Sequence, residues 1–158
     1  MSQPLHVVCT ACDAVNRIGP ERPLAAGKCG RCHQALFTGK PADLDAARFD
    51  KHLSRSSLPL IVDFWAAWCG PCRAMAPIFE RGAQALEPRA RFAKVDVDAN
   101  PQLAARYGIQ GIPALIAFKG GEIAARHAGV ADLALLSRWV EQLAAEPGSA
   151  SADARPRA

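Results

Sequence analysis

Apolar residues follow two different rhythms along this chain. Through residues 1–37 they show no sustained period and are broken by turn material such as "GPERP" and "AAGK". From residue 43 they fall into regular blocks. "DLDAARFDKHLSR" has an acid-rich start and helical spacing, with Leu44, Ala47 and Leu53 on one side. "LPLIVDFWAA" is almost continuously hydrophobic, the pattern of a strand buried on both faces. A helix is predicted over 70–86, with Pro77 expected to kink it. "RFAKVDVDA" alternates as a strand does, setting Phe92, Lys94 and Asp96 against Ala93, Val95 and Val97. "NPQLAARYG" reads as a short helix with Asn100 as cap, Pro101 first and Gly108 closing it. "ALIAFKGGEIAARHAGV" gives two strands around a Gly120–Gly121 hairpin turn, and "ADLALLSRWVEQLAAE" an amphipathic closing helix.

The resulting order is β-α-β, then α, then β-β-α. A β-α-β unit needs parallel strands joined by a right-handed crossover, and the hairpin adds antiparallel ones. The expected class is therefore α/β, a mixed central sheet with helices on both faces. Four segments are expected: a cysteine-rich module over 1–37, a linker or weak first strand over 38–42, the main domain over 43–146, and a disordered polar tail over 147–158. Pro41 cannot donate to a ladder, so any strand near it should be short or displaced.

Composition narrows the class of protein. Half the residues are hydrophobic and 22% are charged, as in ordinary globular proteins. The 158 residues suffice for one full core and a small appendage. No apolar run approaches the roughly 20 residues that cross a bilayer, and the N-terminus lacks the charged start of a signal peptide. A cytoplasmic location is expected, where six cysteines point to metal binding or redox catalysis rather than structural disulfides. Residues 1–40 hold five Lys/Arg against two acids, whereas 41–146 balance at twelve of each. The main domain is thus a poor candidate for nucleic-acid binding, and only the cysteine-rich end leaves that option open.

The cysteines form three C-x-x-C pairs. Cys69 and Cys72 stand where the buried strand ends and a helix begins. Free N–H groups and the positive end of the helix dipole stabilise a thiolate there. Cys72, one turn on, is within reach of a disulfide. Cys69 would attack a substrate disulfide and Cys72 would resolve the mixed disulfide. Pro71 is tolerated because first-turn N–H groups have no intrahelical partner. The competing readings are a metal half-site or two inert thiols. Asp63 sits inside the apolar strand, where an unpaired carboxylate is costly and its pKa should rise; the plainer reading is a strand-edge acid facing solvent.

Cys9 and Cys12, then Cys29 and Cys32 after sixteen intervening residues, have the spacing of a four-cysteine zinc site. One Zn²⁺ would give the short segment the folding energy that its small core lacks. Arg17, Lys28 and Arg31 could offset the formal −2 of four thiolates on Zn²⁺. Neither pair is expected to follow a buried strand or open a helix, so the thiolate argument made for Cys69 does not carry over. His6 and His33 are bystanders to a complete shell. Two disulfides, or iron in place of zinc, remain the alternatives.

"VDFWAAWCGPCRAMAPIFE", continued by "FAKVDVDANPQLAARYGIQGIPALIAFKGGE" and "HAGV", resembles the thioredoxin family over roughly residues 43–146, with "WCGPC" (Trp68 to Cys72) in place of its active site. The resemblance implies a thioredoxin fold and a monomeric protein-disulfide reductase. Its Cys69/Cys72 dithiol would be re-reduced by an NADPH-dependent thioredoxin reductase, without an organic cofactor. It also implies that Asp63 accepts the proton of Cys72, that Lys94 tunes Asp63, and that Pro113 is cis, against the usual trans preference. The backbone of Ile112 would pair with an extended substrate segment. Trp68, Gly70, Pro71, Ile112, Gly129 and Val130 would form a flat apolar contact surface. Ala114 departs from the Thr common after this proline, which should alter substrate preference slightly.

"VVCTACDAVNRIGPERPLAAGKCGRCHQALF" ahead of such a domain is similar to the N-terminal part of the bacterial zinc-containing thioredoxins of the thioredoxin 2 type. This implies one zinc ion on Cys9, Cys12, Cys29 and Cys32, either structural or redox-labile. Two rival functions stay open. The zinc module could be a redox-sensing, partner-binding or nucleic-acid-binding element, although no stacking aromatics lie among its basic positions. The main domain could instead run as an oxidase or isomerase, a choice that its reduction potential decides.

Overall fold

A computed structural model describes residues 3–144. The tail expected at 147–158, and residues 145–146 at the end of the main domain, lie outside the described residues.

The sheet of the main domain has the strand order β3-β5-β4-β6-β7. β4 (Leu60–Trp65) is its centre and pairs in parallel with β5 (Arg91–Asp96) and antiparallel with β6 (Ala114–Lys119). β7 (Glu122–Ala128) returns antiparallel on β6 through Gly120 and Gly121, both at positive φ, which only glycine accepts without strain. β3 is reduced to Ala42–Asp43, paired in parallel with β5, and begins directly after Pro41.

Period-two alternation sorts the strand residues between two cores. Ile61, Phe92, Leu115 and Ala117 face α2 (Gly70–Leu86) and α4 (Leu133–Ala144). Leu60, Val62, Phe64, Val95 and Ile116 face α1 (Ala46–Arg55) and α3 (Pro101–Arg106). Gly82 permits close approach on the first face, because a Cβ there would lie 3.0 Å from both Leu136 Cδ1 and Phe92 Cε2. Asp63 and Lys94, two residues beyond Ile61 and Phe92, fall on that same α2 face and are direct partners in the β4–β5 register.

Three local expectations are corrected. α1 begins at Ala46, capped by Asp45, whose side chain accepts from Arg48 N at 2.9 Å. Leu44, buried ahead of the helix, and Leu53 pack in one core with Phe49, whereas Ala47 is exposed and His52 is the other buried residue of the helix. Asn100 stands at the N-cap of α3 with Pro101 next, as expected, but its side chain makes no cap bond. Its amide instead accepts from Ala46 N (3.0 Å) and donates to the Asp96 carbonyl (3.1 Å), a tertiary tie that outcompetes the local cap. Finally, Cys9 does follow a strand, one buried over its last two residues.

That strand is β1 (Leu5–Val8), which forms a hairpin with β2 (Val15–Ile18). Val7 is buried because the module's small core of Val7, Ile18 and Leu36 is completed by Leu58 from the main domain, and Val8 is buried as well. The module thus borrows apolar cover that its own sequence does not hold. Its junction with the main domain is also polar: Ser57 N donates to the His6 carbonyl (2.8 Å), and His6 N to Ser57 Oγ (2.8 Å).

Candidate redox site and four-cysteine cluster

β4 delivers the chain to the N-terminus of α2, and Cys69 is the N-cap residue. Its Sγ accepts from Cys72 N at 3.1 Å, so a first-turn amide points at the sulfur that would carry negative charge. Cys69 and Cys72 are joined as a disulfide with Cα atoms 5.2 Å apart. Pro71 lies in the first turn, where a missing N–H costs nothing.

Pro113 is preceded by a cis peptide bond, and the Ile112 carbonyl oxygen lies 3.6 Å from Cys69 Sγ. Gly129, at φ 95°, donates to the Pro113 carbonyl (2.8 Å) and places Val130 beside this loop. Trp68 and Val130 are 67% and 43% exposed, among the few large apolar side chains left open to solvent. Trp68, Gly70 and Pro71 are the chain neighbours of the two cysteines, and Ile112 packs against both of them.

Asp63 is fully buried, and neither carboxylate oxygen has a hydrogen-bond partner among the described residues. Burial pushes its pKa up to about 6, with the charge of Lys94 acting in the opposite direction. Lys94 Nζ also lies 4.8 Å from the centroid of the Trp65 ring, a cation–π contact beside Asp63. Asp98 stands thirty positions from Trp68 in a stretch with no motif to mark it, yet its Oδ2 accepts from the Trp68 indole at 2.8 Å.

The other four cysteines converge. Cys9 Sγ lies 3.6 Å from Cys32 Sγ and Cys12 Sγ 3.6 Å from Cys29 Sγ, with all four sulfurs within 4.8 Å of one another. Zinc–sulfur bonds of about 2.3 Å in a tetrahedron place sulfurs about 3.8 Å apart, so the residues fit the metal. The two pairs are near copies. In each, the first cysteine's N–H donates to the carbonyl five residues on, at 2.9 Å to Ala14 and 2.8 Å to Gln34. The residue after the second cysteine, Asp13 or His33, has φ near +65°. The N–H two residues after the first cysteine (Ala11, Arg31) donates to its sulfur at 3.3 Å. The backbone N–H of Cys32 and the Asn16 amide hold the Cys29 thiol below its usual range, while the Cys32 thiol is pushed up beside the other three sulfurs. Asn16, not marked by any spacing in the sequence, also accepts from Gly30 N at 2.8 Å.

A buried disulfide opening a helix beside a cis proline, on a sheet of this order, defines a thiol–disulfide oxidoreductase. Comparison with known proteins gives the particular lineage. The thioredoxin family model matches residues 40–142, and the model described as "Thioredoxin 2, N-terminal" matches residues 8–34. Thioredoxin C-3 of Corynebacterium nephridii is 39% identical over 136 residues, covering 86% of this chain and 93% of that protein. Thioredoxin of Rhodospirillum rubrum is 44% identical over 95 residues, covering 60% and 91%. Among solved structures, a mutant thioredoxin from Halobacterium salinarum NRC-1 aligns with a TM-score of 0.62 at 32% identity, covering 68% of this chain and 94% of that one. The chain belongs to the thioredoxin family, and its N-terminal module is the zinc ribbon of the thioredoxin 2 type.

Proposed function

We propose that the protein reduces disulfides of other proteins through Cys69 and Cys72, in the cytoplasm, as a monomer re-reduced by an NADPH-dependent thioredoxin reductase. The observation that carries this reading is the Cys69 sulfur, set between a helix N-terminal amide and the backbone next to a cis proline. In the reduced enzyme the Cys69 thiolate attacks one sulfur of the substrate disulfide, forming a mixed disulfide and releasing the other sulfur as a thiolate that takes up a proton. Asp63 then accepts the proton of Cys72. The Cys72 thiolate attacks Cys69, the Cys69–substrate bond breaks, and the second substrate sulfur leaves and is protonated. The substrate gains two electrons and two protons, and the enzyme becomes the disulfide. Lys94 limits how far burial raises Asp63.

Substrate would lie across Trp68, Gly70, Pro71, Ile112, Gly129 and Val130, its extended backbone pairing with Ile112. Ala114 is buried in β6 and faces the α1 side, which supports only a small influence on preference. Cys9, Cys12, Cys29 and Cys32 would hold one Zn²⁺, whose contribution is structural: four bonds that close the ribbon. Insulin reduction coupled to NADPH consumption by thioredoxin reductase tests the function. Steady turnover supports it, and reduced enzyme that leaves insulin disulfides intact refutes it.

The Trp68–Asp98 bond yields a second check. Asp98→Ala frees an exposed indole, and one charge-assisted bond at the surface is worth about 1 kcal/mol or less. KM for insulin should rise up to about fivefold with kcat nearly constant. A loss confined to kcat would place Trp68 outside substrate binding.

A further inference from the structure

Two arginines of the redox domain end at the metal-binding module. Arg91 opens β5, is 3% exposed, and donates from Nη2 to the Val8 carbonyl at 3.1 Å. Its guanidinium lies 4.4 Å from the centroid of the Phe37 ring. Arg48 of α1 donates from Nη2 to the Thr10 carbonyl at 2.7 Å and from Nε to both Asp13 oxygens, at 3.1 and 2.9 Å. Val8 and Thr10 are the chain neighbours of Cys9, and Asp13 follows Cys12. The first knuckle is therefore gripped on both sides of its leading sulfur by guanidinium groups from the other domain. His52, kept neutral by burial, adds a hydrogen bond to Asp13 at 3.1 Å.

The second knuckle is built differently. Cys29–Cys32 is tied within the module by Asn16 and by the Lys28–Ala35 bridge, and Gly30, Arg31 and His33 are exposed. Arg17, Lys28 and Arg31, the cations nearest in sequence that could serve as counter-charges, are all exposed, where water and salt screen them. Arg91 is not screened in this way. Its charge is paired inside the protein with the buried Glu87 carboxylate at 3.7 Å.

We infer that Arg91 and Arg48 are positioning residues of the metal site: they fix the peptide groups flanking Cys9, and so hold the first knuckle in the geometry that a four-thiolate zinc complex needs. Metal retention is then a property of the whole chain rather than of the ribbon. The inference rests on the reading that the four cysteines hold zinc. It also predicts an asymmetric apo state, with the first knuckle still docked and the second released.

The test uses the full-length, reduced chain. Zinc content of the wild type is measured first; a chain isolated without zinc and unable to take it up overturns the zinc reading and this inference together. With the loaded wild type in hand, zinc transfer to a chromogenic chelator is timed for Arg91→Met, Arg91→Lys, Arg48→Met and Arg31→Met. Release about tenfold faster is expected for Arg91→Met and several-fold faster for Arg48→Met, with Arg91→Lys in between and Arg31→Met unchanged. Arg91→Met strands the buried Glu87 carboxylate, so Glu87→Gln/Arg91→Met is measured beside it and folding is checked by circular dichroism. If all three Arg91 variants unfold, Arg48→Met, on a part-exposed side chain, decides alone. Wild-type release rates in folded Arg91 or Arg48 variants, or an equal effect in Arg31→Met, overturn the inference while leaving the zinc reading intact. In the zinc-stripped wild type, amide exchange should be slower over 8–13 than over 28–34; equal exchange also overturns it.

Discussion

Replacing Asp63 by Asn yields a more stable protein and a poorer catalyst. The carboxyl group is fully buried without a hydrogen-bond partner among the described residues, and burial sets its pKa at about 6 against Lys94. An unfolded Asp titrates near 3.9. Between those values the unfolded chain has released a proton that the folded chain still holds, so stability falls as pH rises and stays lower above about pH 6. Two pH units correspond to roughly 3 kcal/mol. The variant keeps a buried amide in need of partners, which reduces the net gain to about 2 kcal/mol at pH 7. Urea denaturation of the oxidised proteins at pH 4 and pH 7 measures it: the midpoints should diverge at pH 7 and approach each other at pH 4. A gain of equal size at both values would show that ionisation is not its source. Catalysis should move the other way. Loss of the proposed proton acceptor slows turnover by about tenfold or more at pH 7, and the decline of wild-type activity below about pH 6 should vanish from the variant's profile.

The second large effect separates two cysteines that accessibility does not distinguish, since Cys69 and Cys72 are 3% and 4% exposed. Position distinguishes them. Cys69 caps the helix, receives the Cys72 amide and lies against the Ile112 carbonyl, whereas Cys72 is inside the first turn. Cys69→Ser should abolish insulin reduction to background, a loss of at least about a thousandfold. Cys72→Ser should retain the first attack and accumulate a mixed disulfide with substrate, visible as an adduct on non-reducing electrophoresis and lost on adding dithiothreitol. Adducts on Cys72 in the Cys69→Ser variant, with none in Cys72→Ser, would reverse the proposed roles. Both variants should fold, because a hydroxyl at either position is smaller than the sulfur it replaces.

The legibility of this molecule in its sequence follows the range of the interactions. Strand β4 and helix α2 are readable because a continuous apolar run and a C-x-x-C helix start are local signals, and Gly70–Leu86 is the range that periodicity predicts. The hairpin is readable from Gly120–Gly121 for the same reason. Asn100 is legible as the start of α3, but the use of its amide by Ala46, fifty-four positions away, is not. Spacing places Leu44 and Leu53 on the buried side of α1, but because the helix begins after Leu44 it wrongly adds Ala47 and misses His52. The burial of β1 and the parts played by Asp98, Arg48 and Arg91 depend on residues distant in sequence. No spacing rule reaches them. The cis bond at Pro113 is legible only through family resemblance, because local preference favours trans.

The unequal outer strands of the sheet bear on how copies of this protein meet one another. β3 offers only two residues for pairing and is shielded on its N-terminal side by Pro41. β7 offers seven, with Ile123 exposed. Any edge-to-edge growth must therefore start at β7, where Glu122 and the exposed Arg126 place charge on the strand and oppose it. Neutralising that pair, as in Glu122→Thr with Arg126→Thr, would turn a guarded margin into an adhesive one.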